Sequence, residues 1–251
     1  MSALLTAVSQ IVPWMQRRAD ALDRDAAFPA EEIDQLRDLG ALTVPLPVMG
    51  FANPDEVAAL LTLVGQGNLS VGRVFEAHLN ALHLIARYGS AVHPDNGLYA
   101  LWVTDPPTNG LQMRRSGDRI LLSGRKQFCS AAGHATGALV TAQDENGDTR
   151  MLVLPLGIGE HVTPLPSPLQ GMRAAVTGAV DFTGCETNAQ ALLGGAGDYL
   201  REPDFSAGAW RGSAVALGGL IALLDHAMAQ LRDSRRLDSP HAQSRLGHAL
   251  I

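Results

Sequence analysis

The hydrophobic period of this chain changes twice, and that constrains its fold more than any other feature. From residue 1 to about 95 apolar residues recur at helical spacing, as in Leu4, Val8, Ile11, Val12, Met15, Ala19 and Leu22. Pro29 sits in the first turn of a second helix, with Glu31 and Glu32 at its positive end, an apolar stripe of Ile33, Leu36 and Leu39, and Gly40 as its stop. Pro45 and Pro47 predict an extended link. Asn53-Pro54-Asp55-Glu56 reads as a helix start, with a capping side chain followed by proline and acids. That helix is predicted to run to Val64 and end at Gly65, and a fourth to run from about Ser70 to Tyr88, closed by Gly89.

After residue 96 the period falls to two. Leu98 to Thr104, Gln112 to Ser116, Arg119 to Phe128, Gly137 to Gln143, Arg150 to Pro155 and Val176 to Phe182 read as strands. Ser116-Gly117-Asp118 and Asn146-Gly147-Asp148 read as hairpin turns. Helix returns from about Phe205 to Arg232 and again from Pro240. Helices, then strands, then helices define an α+β order rather than alternating βαβ units. The predicted organisation is a helical N-terminal domain over 1–95, a central antiparallel, barrel-like β domain over 96–187, and the start of an incomplete C-terminal helical bundle over 188–251. Gly194-Gly195-Ala196-Gly197 follows no strand closely and opens no helix, so it is read as a connection rather than a dinucleotide loop.

Composition narrows the function classes. A formal charge of −6 leaves no basic footprint for nucleic acid. No run of 18 apolar residues stands in the sequence, so no membrane span is expected. Two cysteines, Cys129 and Cys185, imply no disulfide framework, and a cytoplasmic setting is expected. His78 and His83 fall at i and i+5 on one helix, a spacing that does not pair metal ligands, so no metal is expected. His241 to Ile251 reads as a helix without a stop signal, and the chain is read as a fragment or a protein cut short.

Two short strand ends carry the chemistry. Leu101-Trp102-Val103-Thr104-Asp105-Pro106 and Gly124-Arg125-Lys126-Gln127-Phe128-Cys129-Ser130-Ala131-Ala132 each end an apolar run in a small hydroxyl residue. Side by side, such ends present amides and hydroxyls to a flat heterocycle. In this order and separation they resemble the flavin-contacting strands of the acyl-CoA dehydrogenase family, with Asp105 in place of that family's usual Glu. The likeness extends to Arg17-Arg18-Ala19-Asp20, Gly171-Met172-Arg173, Val180 to Cys185, Trp210-Arg211, and Arg236 with Pro240 four residues on.

The resemblance implies a bound FAD. Trp102, Val103 and Thr104 would line its isoalloxazine, Phe128 would pack beside it, and Ser130 would hydrogen-bond near N5. Arg236 would reach the diphosphate of a FAD held mainly by a neighbouring subunit, since a guanidinium fork suits a diphosphate. Asn109-Gly110-Leu111 stands where the family has Gly-Ser-Asp. The implied reaction is α,β-dehydrogenation of an acyl thioester, in which a carboxylate removes the α proton. One branch places that base just before the arginine matching Arg211; here the position is Trp210. In most members it lies later than Ile251, so no catalytic residue is assigned. Glu76 and Glu202 are read as solvated acids. His78 falls near the family's substrate positions, and His134 follows the second strand.

Three functions remain open at this point. The first is an acyl-CoA dehydrogenase-like enzyme served by an electron-transfer flavoprotein. The second is a two-component monooxygenase on the same fold, fed by a flavin reductase and acting on a small aromatic. The third is a non-catalytic interaction module. A homodimer or homotetramer is expected, because Ala214, Leu217, Gly218, Ile221 and Leu224 form a broad apolar face on the 205–232 helix.

Overall fold

The computed structural model describes residues 2–43, 53–89, 96–157, 159, 161–165, 169–202 and 204–249. The expected link at Pro45 and Pro47 lies outside them, as do residues 90–95. The described helices are α1 (Ser2–Asp25), α2 (Ala30–Asp38), α3 (Pro54–Gly67), α4 (Leu69–Tyr88), α5 (Asp204–Asp233) and α6 (Pro240–Ala249). Between α4 and α5 run β1 (Tyr99–Trp102), β2 (Gln112–Ser116), β3 (Arg119–Ser123), β4 (Arg125–Cys129), β5 (Gly137–Gln143), β6 (Thr149–Pro155), β7 (Val162–Thr163), β8 (Gly178–Asp181), β9 (Glu186–Asn188) and β10 (Leu192–Leu193). The α+β order read from the changing period is therefore the order observed.

Helix signals act as expected at most ends. The Asn53 side chain accepts from the Asp55 N–H, and Gly89 ends α4 at φ 65°. The predicted stop at Gly65 is not used: α3 continues to Gly67, and Asn68 then caps α4 by accepting from Ser70 and Val71. Gly65 is there for packing. A Cβ on it would collide with the Val215 carbonyl of α5, and one on Gly218 would collide with the Thr62 carbonyl. Small residues thus let the α3 and α5 backbones approach closely. Val8, Val12 and Met15 bring α1 onto the same core.

The strands form a seven-stranded sheet, in order β10-β6-β5-β2-β3-β9 with β1 also on β5, and a separate three-stranded sheet, β4-β8-β7. The first sheet is mixed rather than antiparallel throughout, because β1 runs parallel to β5 and β2 touches β5 in parallel, and its order is an open path from β10 to β9 rather than a closed barrel. The predicted single strand from Arg119 to Phe128 is two strands. Gly124, at φ 106°, turns the chain from one sheet into the other, and a Cβ there would strike the Gly110 carbonyl. Both expected hairpin turns are present, with Gly117 and Gly147 at φ 62° and 81°.

On α5, Ala214, Val215 and Gly218 face inward, whereas Leu217, Leu220 and Leu223 stand exposed, so the expected apolar face is split between core and surface. Gly208–Asp233 is apolar enough, at a mean hydropathy of 1.5, and long enough to cross a membrane by length and composition. No unbroken apolar run flags it because Gly, Ser, His and Gln interrupt the leucines. In the fold it lies along α3 and α4.

Candidate functional site

β1 and β4 come from different sheets, and their ends are bound to each other. Past Trp102 the chain leaves the β5 ladder as Val103-Thr104-Asp105. The Gln127 N–H donates to the Thr104 carbonyl at 2.9 Å, and Gln127 Nε2 donates to the Asp105 carbonyl at 3.0 Å. The Trp102 indole N–H donates to the Ser130 carbonyl at 2.9 Å.

Beneath this junction a buried lysine pairs with a partly exposed aspartate. Lys126 has no exposed surface, and its Nζ donates to Asp105 Oδ1 at 2.7 Å, Thr141 Oγ1 at 2.9 Å and the Val103 carbonyl at 3.4 Å. Burial pulls the lysine pKa down and Asp105 opposes that shift. Asp105 also accepts the Leu111 N–H at 3.0 Å. Both residues stood inside the two motifs, but neither was assigned a role from sequence. A buried cation satisfied by three oxygens fixes the end of β1 against β4 and β5.

The end of β4 is bulged: its register against β8 shifts between Lys126 and Cys129. Phe128 and Ala131 adopt left-handed φ values of 56° and 57°. A side-chain-bearing residue holds that conformation only where its surroundings impose it, and such strain clusters at functional sites. The bulge turns Phe128 outward, leaving it 49% exposed, and Cys129 fully inward. Burial pushes the Cys129 thiol up to about 12, which fits a small core residue rather than a nucleophile.

Ser130 is buried, with its Oγ 3.5 Å from Thr177 Oγ1. Thr177 follows a 3-10 turn, Arg173–Ala175, flanked by left-handed Met172 and Val176. The Ala131 and Ala132 amides donate to the Ala175 and Val176 carbonyls and hold that turn against β4. Only its place just after Gly171-Met172-Arg173 could have singled Thr177 out in the sequence.

The expected site residues therefore divide into layers. Val103 is half-buried, and Thr104 and Phe128 reach the surface of the β1–β4 junction. Trp102 is buried, packs on Phe182 at 6.4 Å between ring centroids, and supports Ser130 from behind instead of lining an open face. Arg236 is exposed beyond the end of α5 and borders an α5–α6 groove with Leu224 and Leu231, so it is not gathered with the strand-end residues.

Expected at the substrate, His78 is a core residue. Its Nε2 bonds the Leu42 carbonyl at 2.9 Å and its Nδ1 accepts the Tyr99 N–H at 3.0 Å, so both ring nitrogens are occupied and the ring has no exposed surface. Burial lowers its pKa, which keeps it neutral. His134 stacks on Phe28, with centroids 4.1 Å apart and planes 4° apart. The expectation of a solvated Glu76 is also corrected. Glu76 is 4% exposed and ion-paired with Arg73, and burial raises its pKa against that partner. Its position on the α4 face that meets α5 decides its burial.

This architecture is the acyl-CoA dehydrogenase fold, as the strand motifs led us to expect. No protein-family model matches the chain. It is 24% identical over 259 aligned positions to the mitochondrial short-chain specific acyl-CoA dehydrogenase of Rattus norvegicus, and to that of Mus musculus, covering 88% of this chain and 60% of each relative. The chain thus spans about three-fifths of the length of those relatives. Among solved structures it superposes on TdsC from Paenibacillus sp. A11-2 in complex with FMN and indole, at a TM-score of 0.85 and 18% identity, covering 98% of this chain and 71% of that one. TdsC is also described as a dibenzothiophene monooxygenase. KijD3 in complex with FMN and an amino-keto dTDP-sugar superposes at a TM-score of 0.77 and 23% identity, covering 98% and 69%.

Proposed function

We propose that this chain carries the flavin-contacting part of a flavin-dependent oxidoreductase. The observation that carries the reading is the bulged end of β4, bound to the end of β1, which turns Phe128 outward beside Thr104. Thr104 offers a hydroxyl and Phe128 an apolar wall, while Ser130 and Thr177 form a hydroxyl pair one layer deeper. Those groups fit the edge of an isoalloxazine ring. A flavin there would supply hydride or oxygen chemistry; the chain's own residues bind it, orient it and keep water from one side.

The resemblance implies FAD. The turn at Asn109–Leu111 argues instead for a mononucleotide flavin. Its Leu111 N–H donates to Asp105 Oδ1, so this donor is committed away from a diphosphate. FMN bound to TdsC and to KijD3 agrees with that reading.

Dehydrogenation of an acyl thioester needs a carboxylate base. Trp210 occupies the position where one branch of the family has it, Asp105 is engaged by Lys126, and Glu76 is engaged by Arg73. The likeness to TdsC, described as a dibenzothiophene monooxygenase, supports the second reading, a monooxygenase that takes reduced flavin from a separate reductase. Exposed Leu217, Leu220 and Leu223 on α5 support self-association. The test is to supply chemically reduced FMN anaerobically and then admit oxygen. Slow reoxidation, protected relative to free reduced flavin, supports the monooxygenase. Bleaching of bound oxidised flavin by an acyl-CoA thioester would select the dehydrogenase.

A further inference from the structure

Ser130 has a second hydroxyl beside it. Its Oγ lies 3.5 Å from Thr177 Oγ1, and either oxygen can be the donor. Ser130 is buried, whereas Thr177 is half-buried. Val176, just before Thr177, adopts φ 44° and ψ 58°. A β-branched residue is an outlier in that region, and such strain persists only where the surroundings hold it. The Ala131 and Ala132 amides donate to the Ala175 and Val176 carbonyls at 2.8 and 3.2 Å, which holds this segment against the end of β4. From the other side the Trp102 indole N–H fixes the Ser130 carbonyl. The backbone around both hydroxyls is thus pinned, while their protons can rotate.

A flavin N5 changes its hydrogen-bonding sense with redox state. Oxidised, it is an acceptor; reduced, it carries a proton and donates. A hydroxyl that meets N5 must therefore donate in one state and accept in the other. We propose that Thr177 is a positioning residue whose hydroxyl lets Ser130 serve both states, and that the pair thereby tunes the reduction potential of the bound flavin. This rests on the functional reading above, with Ser130 at N5, and adds to it a residue that regulates the same site. With oxidised flavin Ser130 donates to N5 and accepts from Thr177. With reduced flavin Ser130 accepts the N5 proton's hydrogen bond and donates to Thr177. Loss of the Thr177 hydroxyl weighs more on the reduced state. There the buried Ser130 O–H loses its acceptor, whereas in the oxidised state only a lone pair goes unfilled.

The test measures the reduction potential of bound FMN against a reference dye. The samples are the parent chain, Thr177→Val, Thr177→Ala, Thr177→Ser, Ser130→Ala, and Ser130→Ala combined with Thr177→Val. Thr177→Val should weaken reduced FMN about fivefold more than oxidised FMN, the usual size of one neutral hydrogen bond. That ratio lowers the potential by about 20 mV, at about 30 mV per tenfold for two electrons. Thr177→Ala should do the same although its volume differs, and it decides should Thr177→Val not fold. Thr177→Ser keeps the hydroxyl and should keep the parent's potential. In the Ser130→Ala background, Thr177→Val should move the potential no further, because the hydroxyl it removes has no Ser130 to serve. Three results would overturn the proposal: an unchanged potential in Thr177→Val and Thr177→Ala, a fall in Thr177→Ser as large as in Thr177→Val, or a Thr177→Val effect that persists in Ser130→Ala. FMN affinity is read on the same samples. A parent chain that binds no FMN sinks the flavin reading and the proposal with it, whereas FMN bound at a potential indifferent to Thr177 sinks the proposal alone.

Discussion

Lys126 Nζ lies 2.7 Å from Asp105 Oδ1, and the lysine that makes this pair has no exposed surface at all. The pair joins the two strand ends that the candidate site is built on. Asp105→Asn would leave a buried ammonium with only neutral acceptors. The expected loss is about 2 kcal/mol, below the full value for a buried pair because Asp105 is itself 39% exposed. Replacing both partners, as in Asp105→Asn with Lys126→Met, should cost less than the sum of the single changes. Urea denaturation of the four proteins measures this, and additive costs would show that the two groups act independently.

His78 predicts a pH dependence of stability. Burial lowers its pKa below the ordinary 6.5, so near that pH the unfolded chain binds a proton that the folded chain does not. Stability should be complete above about pH 6.5 and fall as the pH drops, by at most about 1.4 kcal/mol per unit from this one group. His78→Gln keeps one donor and one acceptor but cannot titrate. It should flatten the profile below about pH 6.5; an unchanged slope would place the proton uptake elsewhere, with His134 the next candidate.

The glycines at the α3–α5 contact differ from those that face open space. Gly65→Ala drives a methyl group into the Val215 backbone and should cost about 1–3 kcal/mol. Gly212→Ala, where a Cβ meets nothing within 4 Å, should instead stabilise α5 by about 0.5–1 kcal/mol. Thermal melts of both variants check the opposite signs.

The exposed leucines of α5 predict association. Leu220→Asp with Leu223→Asp should move the chain towards monomer in light scattering while its circular dichroism stays unchanged, because both side chains are already more than 60% exposed. A parent chain that is monomeric at high concentration would remove the basis for this expectation.

How much of this was legible in the sequence follows from what each signal encodes. Periodicity and caps are local, so the helix and strand order and the Asn53 and Gly89 ends could be read directly. Close approach is not local. Gly65 looked like a stop because nothing nearby in sequence announces Val215, 150 residues away, and Gly124 was hidden inside a continuous strand pattern because its φ of 106° and the approach of the Gly110 carbonyl leave no local trace. At the β1–β4 junction the motifs singled out Thr104 and Phe128, which reach the surface, but did not encode the layering. Trp102 and Ser130 went inward because one indole hydrogen bond and the β4 bulge set their depth. The burial of Glu76 and His78 was hidden for the same reason, since a polar residue on a helix reveals it only through partners such as Arg73, Leu42 and Tyr99.

The central claim is that the β1–β4 junction binds flavin, and the direct measurement is a fluorescence titration of FMN and FAD into the parent chain, Phe128→Ala and Ser130→Ala. The account predicts saturable binding with FMN tighter than FAD. It also predicts weaker binding of oxidised and reduced FMN alike in Phe128→Ala, and in Ser130→Ala a loss on the order of 1 kcal/mol that is larger for the reduced form. Binding unchanged in both variants, with their folds intact, would contradict it and leave the strand ends as structure alone.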